Sequence, residues 1–587
     1  MKPIILAVAL AAAASPLPAQ TIFVDQGPDW NRSARAAFYV QDQGSRIMPI
    51  AWMRALTAPD GSAFLADALA RYGYLPNPGA VEADLPVGFT TNGTGADQAV
   101  GMTCAACHTR EISVNGAKFR IDGGPAIVDF ETFLVDLNAA VLAVLADDTA
   151  FAAFADKVLG SEAGDPARQA LKAEVDIWSN RFGTLIERSL PQPGLWGPAR
   201  LDAVSMIFNR LTGLDLGAED QDYLIPDNIN AADAPTRYPF LWNASRQDFT
   251  QWPGFAENGN DLLALARNLG EVYGVFGTFH PTDQSGWVLL NRDYIGDNSA
   301  NFDGLGKLET AISTIGPPVW PWGIDEGLAA QGEQVFNLPT DQGGCVACHG
   351  KKNGAYRFTL EPTLATPILP AGTDTRECNI LTRTAQTGVL EGASIPVLLP
   401  ALGAEDTAFN LLAISVIGAI LQHAGSLLSD SDRAIVMAAD AETLTAADAS
   451  PQIEGLMRTI EDLRGAFPIT DEARGMLMEN AGSGCKYEAR VLDGIWAAAP
   501  YLHNGSVPTL ADLLKVPDQR PQSFQPGPNY DIETVGMAAE QQMFGQTTIT
   551  TTGCDQIDSG NSRCGHDWGT ALSDQQKREL LEYLKSI

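Results

Sequence analysis

A mainly α-helical chain, folded as two domains with long loops and insertions, is predicted by three observations. Apolar residues recur at three- and four-residue steps through most long segments, and no convincing series of alternating strands is present. The pentapeptide C-x-x-C-H occurs twice, as Cys104-Ala105-Ala106-Cys107-His108 and as Cys345-Val346-Ala347-Cys348-His349. Between the copies, Asn301–Pro321 gathers Gly304, Gly306, Gly316, Pro317 and Pro318, the composition of a boundary. The expected division is a leader at 1–19, an N-terminal domain at 20–305 and a C-terminal domain at 306–587.

The elements follow in order. Ser62 to Tyr72, Asp129 to Leu159, Ala163 to Phe182 and Asp261 to Tyr273 carry the helical spacing of the first half. Loops such as Pro191–Pro198 separate them. In the second half an amphipathic helix, Asp325–Phe336, ends just before Cys345. Helices are then expected at Thr407–Leu428, Ser431–Ala441 and Gln452–Leu463. Leu411–Leu428 is apolar, but its Gln422 and His423 mark a buried helix rather than a membrane span. The last helix, Lys577–Lys585, follows Ser573-Asp574-Gln575-Gln576, with Ser573 as N-cap and Leu580, Leu581 and Leu584 on one apolar face.

Each pentapeptide supplies two thiols that bond the vinyl groups of a porphyrin and an imidazole for one axial position on its iron, the attachment signature of c-type haem. With 8 Cys and 6 His in 587 residues, chance supplies one copy about once in a thousand such chains, so two copies are not accidental. A thioredoxin-like dithiol needs a βαβ setting and no trailing His. A zinc site needs a fourth ligand for each group. Two covalently bound haem c groups are therefore expected, one per domain. Helices flanking a haem at both ends of the second half make that half a cytochrome c-like fold with an insertion.

Met1-Lys2, the apolar run Ile4–Ala14 and Ser15-Pro16-Leu17-Pro18-Ala19 read as a secretory signal cleaved after Ala19. The run is too short to span a bilayer, so no stable membrane span and a periplasmic location are expected. Net charge is -33, from 38 basic and 71 acidic residues, which disfavours nucleic acid and anionic lipid as partners. Such a surface keeps the protein soluble or steers a cationic electron-transfer partner. Cys378, Cys485, Cys554 and Cys564 remain, an even number that suggests two disulfides. Of three pairings, Cys554–Cys564 is favoured by closeness across a Gly/Asn/Ser-rich turn, and Cys378–Cys485 by elimination. No loop has calcium-loop spacing, so no metal beyond haem iron is expected.

The run Trp496-Ala497-Ala498-Ala499-Pro500-Tyr501-Leu502-His503-Asn504-Gly505-Ser506-Val507-Pro508-Thr509-Leu510 resembles a segment of di-haem c-type cytochromes. That group is related to bacterial cytochrome c peroxidases, the tryptophan-tryptophylquinone maturation enzyme MauG and the di-haem rubber oxygenases. Tyr238–Trp242 with Gln251–Gly254, Ala266–Phe276, and Gly560–Ser562 with Gly565-His566 look similar to the same group. The resemblance implies a catalytic N-terminal haem on Cys104, Cys107 and His108. It implies an electron-relay haem on Cys345, Cys348 and His349. His566 is the implied second ligand of the relay haem, with His503 as a rival or as a hydrogen-bonding neighbour. Trp252 is the implied bridge between haems, with Trp242 as a substitute, and Glu271 the implied acid–base over the open iron. Arg267 is implied to contact a propionate or stabilise developing charge, an ordinary salt bridge being the alternative. His280 and His423 read as structural.

The expected function is a periplasmic di-haem oxidoreductase, peroxidase-like, in which an external donor reduces the second haem and hydrogen peroxide is reduced at the first. Small cytochromes, cupredoxins and quinol-linked carriers are the candidate donors. Departures from the pattern leave other outcomes open. The span from His108 to Trp252 is longer than in small peroxidases, and no histidine follows His108 as a removable ligand. Val275 and Phe276 offer an apolar distal wall for a dioxygenase that cleaves a hydrophobic alkene with dioxygen. A plain carrier, with Met537 or Met543 as ligands, and oxidation of a partner protein are the remaining alternatives.

Overall fold

The structure, a computed structural model, describes residues 21–283, 290–357, 359–395, 400–426 and 485–587, together with 455, 458 and 459. The leader at 1–19 and the expected helix Ser431–Ala441 lie outside the described residues, as do all but three residues of Gln452–Leu463.

The longer helices are α1 (Phe130–Leu145), α2 (Asp148–Leu159), α3 (Asp165–Ser189), α4 (Ala203–Leu214), α5 (Asp261–Gly274), α6 (Phe302–Ser313), α7 (Glu326–Phe336), α8 (Ala408–Ser426) and α9 (Asp574–Ser586). Most begin on an Asp or Asn whose side chain accepts from a backbone N–H of the first turn, as Asp129, Asp147, Asp202, Asn260, Asn301 and Asp325 do. Ser573 and Gln576 form a reciprocal capping box at α9.

Two expected helices differ. The run Asp129–Leu159 is broken into α1 and α2, which meet at 108°. Asp147 leaves the helix there and caps Ala150. Ser62–Tyr72 is a succession of turns with only one short 3-10 segment, Ala70–Tyr72. Its Phe64, Leu65 and Leu69 are buried all the same. The Asp67 carboxylate takes the backbone N–H groups of Leu69 and Arg71, which a helix would have used.

The strands are short. The most extended sheet places β1 (Thr21–Phe23) parallel to β3 (Ala117–Asp122), which pairs antiparallel with β2 (Thr109–Val114). Asn115 and Gly116 turn the hairpin with φ of 51° and 83°, the left-handed pair that a tight hairpin needs. This hairpin was open to sequence reading, since Ile112, Val114, Phe119 and Ile121 alternate around Asn-Gly. Its first residue follows His108, so the sheet anchors the first pentapeptide.

Helix α6 crosses the expected boundary at 305/306, and irregular chain follows only at 314–325. The two halves interlock rather than abut. Ser113 bridges to Asn529, and the Arg237 N–H donates to the His503 carbonyl at 2.9 Å. Helix α8 is long and apolar enough to cross a membrane, but 89% of that window is buried inside the protein against α4 and α5. Both expected disulfides, Cys378–Cys485 and Cys554–Cys564, are present.

Helices α7 and α9 cross closely around the second pentapeptide. A Cβ on Gly332 would lie 1.9 Å from the Glu579 carbonyl oxygen, so only glycine permits that approach. Gly332→Ala is expected to force the helices apart and cost about 1–3 kcal/mol, read as a lower midpoint in denaturant unfolding.

Candidate haem sites

The first pentapeptide forms one helical turn, Cys104–Cys107, after the strand Ala99–Met102. The second is a turn at Val346–His349, reached from α7. The four cysteines of the two motifs are free thiols, while the other four are disulfide-bonded. His108 Nδ1 lies 2.8 Å from the Pro239 carbonyl oxygen, and His349 Nδ1 lies 2.7 Å from that of Arg490. Each imidazole thereby donates Nδ1–H to the backbone and leaves Nε2 with its lone pair outward, the tautomer a metal needs. Burial pushes the His108 imidazole down to about 4 and lowers His349 as well, so both are neutral.

A cavity enclosing roughly 1010 Å³, its mouth included, lies against the second motif. Its walls include Arg237, Trp252, Tyr487, His503 and His566 beside His349. The rings of His349 and His566 face one another with centroids 6.2 Å apart. Metal–nitrogen bonds of about 2.0 Å to two opposed imidazoles place their ring centres about 6 Å apart. The His566 Nδ1 is buried without a hydrogen-bond partner, and Trp568 packs edge-on against the ring. Free thiols, an imidazole pair at metal spacing, an orphaned ring nitrogen and a large cavity together fit a haem. Arg237 adds a further element of fit. Its buried guanidinium, pushed down to about 9 by burial and by Arg490, lies 4.6 Å above the Trp252 ring and suits a buried carboxylate such as a propionate.

His503 lines the same cavity and stacks on Tyr487, with centroids 3.7 Å apart. His280 is bonded to Asp297 and stacked on Tyr223, and His423 is stacked on Phe302. No second imidazole therefore faces His108. Two buried tyrosines flank the first motif instead: Tyr238 packs edge-on against His108 and its hydroxyl interacts with the Cys107 thiol, and burial holds the hydroxyls of Tyr74 and Tyr238 protonated.

Glu271, Arg267 and Gln251 share a largely apolar pocket of roughly 610 Å³ with Phe208, Phe255 and Leu412. Glu271 accepts a hydrogen bond from Gln251 Nε2 at 3.1 Å, and Arg267 Nε is 4.0 Å away. Its charge is felt by both Cys104 and Cys107, so the carboxyl faces the first motif. Burial raises the Glu271 carboxyl above its usual range, against the lowering effect of Arg267. Arg267 is held by Glu309 at 2.8 Å and by Asn258, so the ordinary salt bridge exists beside any role at the haem.

Trp252 lines the second cavity, while its neighbour Gln251 lines the Glu271 pocket. A left-handed φ of 65° at Gln251 turns the two side chains to opposite sides. Trp252 Nε1 donates to the Arg237 carbonyl at 3.1 Å. Trp242, the substitute bridge, is fully buried, stacks on Phe240 and donates to the Asp493 carbonyl, and it lines neither cavity. Phe276 is a correction to the expected apolar distal wall. Its φ of 70° turns the chain away, and its ring stacks on Phe182 beneath Arg210 in a separate groove. Met543 is a surface residue, 42% exposed, and Met537 is packed in the core beside Tyr530. Arg237, Glu488 and Arg490 were missed in the sequence; the signal was a charge set among apolar and aromatic residues, Arg237 beside Tyr238-Pro239-Phe240 and Glu488 and Arg490 in the run that leads to Trp496.

Residues 486–525 match a family model described as RoxA-like, cytochrome c-like. Over 620 aligned positions the chain is 28% identical to the uncharacterized protein y4iJ of Sinorhizobium fredii (strain NBRC 101917 / NGR234), covering 95% of this chain and 92% of that protein. A second uncharacterized protein of the same strain, y4iM, is 27% identical over 370 residues, covering 60% of this chain and 64% of that protein. The matched segment includes Arg490, whose carbonyl orients His349, and His503 on the cavity wall. The matched segment is thus similar to a RoxA-like cytochrome c domain, which supports haem c binding and oxidoreductase chemistry.

Burial holds the His503 imidazole down to about 3, against about 6.5 for an unperturbed histidine. Between these values the unfolded chain binds a proton that the folded chain does not. Stability contributed here is therefore full above about pH 6.5 and falls by about 1.4 kcal/mol per pH unit below it. Urea unfolding at pH 7 and pH 5 is expected to show that loss, and His503→Phe, which keeps the stack on Tyr487, to reduce it.

Proposed function

We propose that this chain is a periplasmic di-haem oxidoreductase that reduces hydrogen peroxide at the His108 site with electrons relayed through the His349 site. The observation that carries the reading is an asymmetry: His349 has His566 across from it, whereas His108 has no imidazole opposite. Paired ligands suit outer-sphere electron transfer, and an open position suits a small-molecule substrate. In this reading Cys104, Cys107 and His108 hold one haem, and Cys345, Cys348, His349 and His566 the other. Bound haem supplies the redox chemistry, and the protein supplies ligation, charge and access.

The chain's own residues then have distinct tasks. Glu271, with its carboxyl raised by burial, keeps a proton to higher pH than an exposed glutamate and can pass it to a substrate oxygen. Gln251 orients that carboxyl, and Arg267, tethered by Glu309, holds positive charge beside it. Trp252, on the wall of the second cavity and next in the chain to Gln251 of the Glu271 pocket, would supply an aromatic step for the electron. The acidic surface favours a cationic external donor, such as a small cytochrome or a cupredoxin.

One observation favours a second reading. The Glu271 pocket is walled by Val204, Phe208, Phe255, Leu412 and Val416, and the matched family is RoxA-like, as dioxygen-dependent cleavage of a hydrophobic alkene would require.

Electron paramagnetic resonance of the isolated protein, then after one-electron reduction and peroxide addition, separates the readings. A high-spin signal consumed by peroxide beside an unaffected low-spin one is expected. Two low-spin signals indifferent to peroxide would leave a plain electron carrier, and dioxygen uptake with an apolar alkene would favour the second reading. Replacing Cys104 and Cys107 by Ser, or Cys345 and Cys348, is expected to remove one haem in each case, read as half the pyridine haemochrome absorbance. Glu271→Gln is expected to lower peroxide turnover by roughly 10²–10⁴-fold and to abolish the limb of the pH–rate profile that titrates above the ordinary glutamate range.

A further inference from the structure

We propose that Arg490 is a positioning residue for both irons at once, holding the two proximal imidazoles and setting the potentials of both haems together. The inference rests on the haem reading above. Its main-chain carbonyl accepts from His349 Nδ1 at 2.7 Å. Its side chain reaches the other way. Nη1 donates at 2.9 Å to the carbonyl of Phe240, the residue after Pro239, whose own carbonyl accepts from His108 Nδ1 at 2.8 Å. A continuous path of three hydrogen bonds and two short backbone links therefore joins the proximal histidines, with Arg490 at its centre.

The guanidinium is fixed in that position. Nε donates to Gln247 Oε1 at 3.1 Å, Nη2 bonds the same oxygen, and Glu488 lies 3.2 Å from Nε. The plane sits 4.5 Å over the Phe240 ring, and Arg490 is only 6% exposed. Lysine cannot reproduce this fork, because a point charge has no rigid set of donors for two carbonyl-type oxygens at once. Displacing the 239–240 segment would rotate the carbonyl that orients His108, although Arg490 never touches that ring.

Charge gives the second effect. A buried cation screened by little solvent disfavours the oxidised, more positive state of a nearby iron, so it raises the reduction potential. The guanidinium is tied to the Phe240 carbonyl, next to the Pro239 carbonyl that orients His108, which places its charge beside the first site as well as the second. The structural alternative is a clamp that merely secures the fold near the second motif. That alternative predicts no coordinated change at both haems.

The test is spectroelectrochemistry with electron paramagnetic resonance on the holoprotein and its Arg490→Met, Arg490→Lys and Gln247→Leu variants. Haem content is measured first, because fewer than two haems in the unmodified protein defeats the functional reading and not this inference alone. With two haems present, Arg490→Met is expected to lower both midpoint potentials and to shift both paramagnetic signals. Arg490→Lys is expected to restore the potentials while the His108-site signal stays altered. Gln247→Leu, which loosens the guanidinium without touching either imidazole, is expected to move both potentials in the same direction by less, and decides the matter if Arg490→Met fails to fold. A shift confined to the His349 haem, or no shift at either, overturns the proposal.

Discussion

Each pentapeptide depends on a carbonyl it does not contain. Three of its residues bring two thiols and an imidazole together locally, but the direction of that imidazole is set by Pro239 for one motif and by Arg490 for the other. A neutral hydrogen bond of this kind contributes only about 1 kcal/mol to stability. Its geometric effect is larger, because a ring free to rotate would present either nitrogen. The segments 237–242, 247–252 and 487–490 are therefore packed between the motifs, and the interlocked halves are the architectural result.

Electrostatics divides the molecule along the same lines. The surface is dominated by acid, with a net charge of -33, while arginines are concentrated inside: Arg110, Arg200, Arg237 and Arg490 are all nearly or fully buried. Most bond main-chain carbonyls rather than carboxylates, as Arg110 does to Pro125 and Arg200 to Asn504. Arg237 is the most exposed to this imbalance, since Glu488 is shared with Arg490. Carboxylates carried by a bound group would relieve it.

The parts legible in the sequence were those whose information is local. Both pentapeptides, the Ser573 cap, the helices at Asp261 and Asp325, and the Cys554–Cys564 pair could be read from spacing, and Cys378–Cys485 followed by elimination. His566, Trp252 and Glu271 came from a resemblance, and the structure places Trp252 and Glu271 on neighbouring cavities and His566 across from His349. Long-range relations were not legible: nothing about Arg490 announces a partner at Phe240, 250 residues earlier. Phe276 was misplaced because its left-handed backbone sets the ring on Phe182, outside the Glu271 pocket, which apolar character alone does not reveal. Ser62–Tyr72 was misread because buried turns mimic helical spacing, and the Asn115-Gly116 hairpin was overlooked although alternation marked it.

The placement of His566 bears on how such a molecule is made. Synthesis runs from the N-terminus, so Cys345, Cys348 and His349 emerge well before His566 and before α9, whose Leu580 and Leu584 wall the same cavity. A haem attached as the thiols appear would hold one protein ligand on one side and solvent on the other until the last few dozen residues arrive. The residues that would attach such a group thus precede in the chain those that enclose it. A truncated chain lacking its final segment would leave that cavity open on the side that His566, Leu580 and Leu584 close in the finished protein.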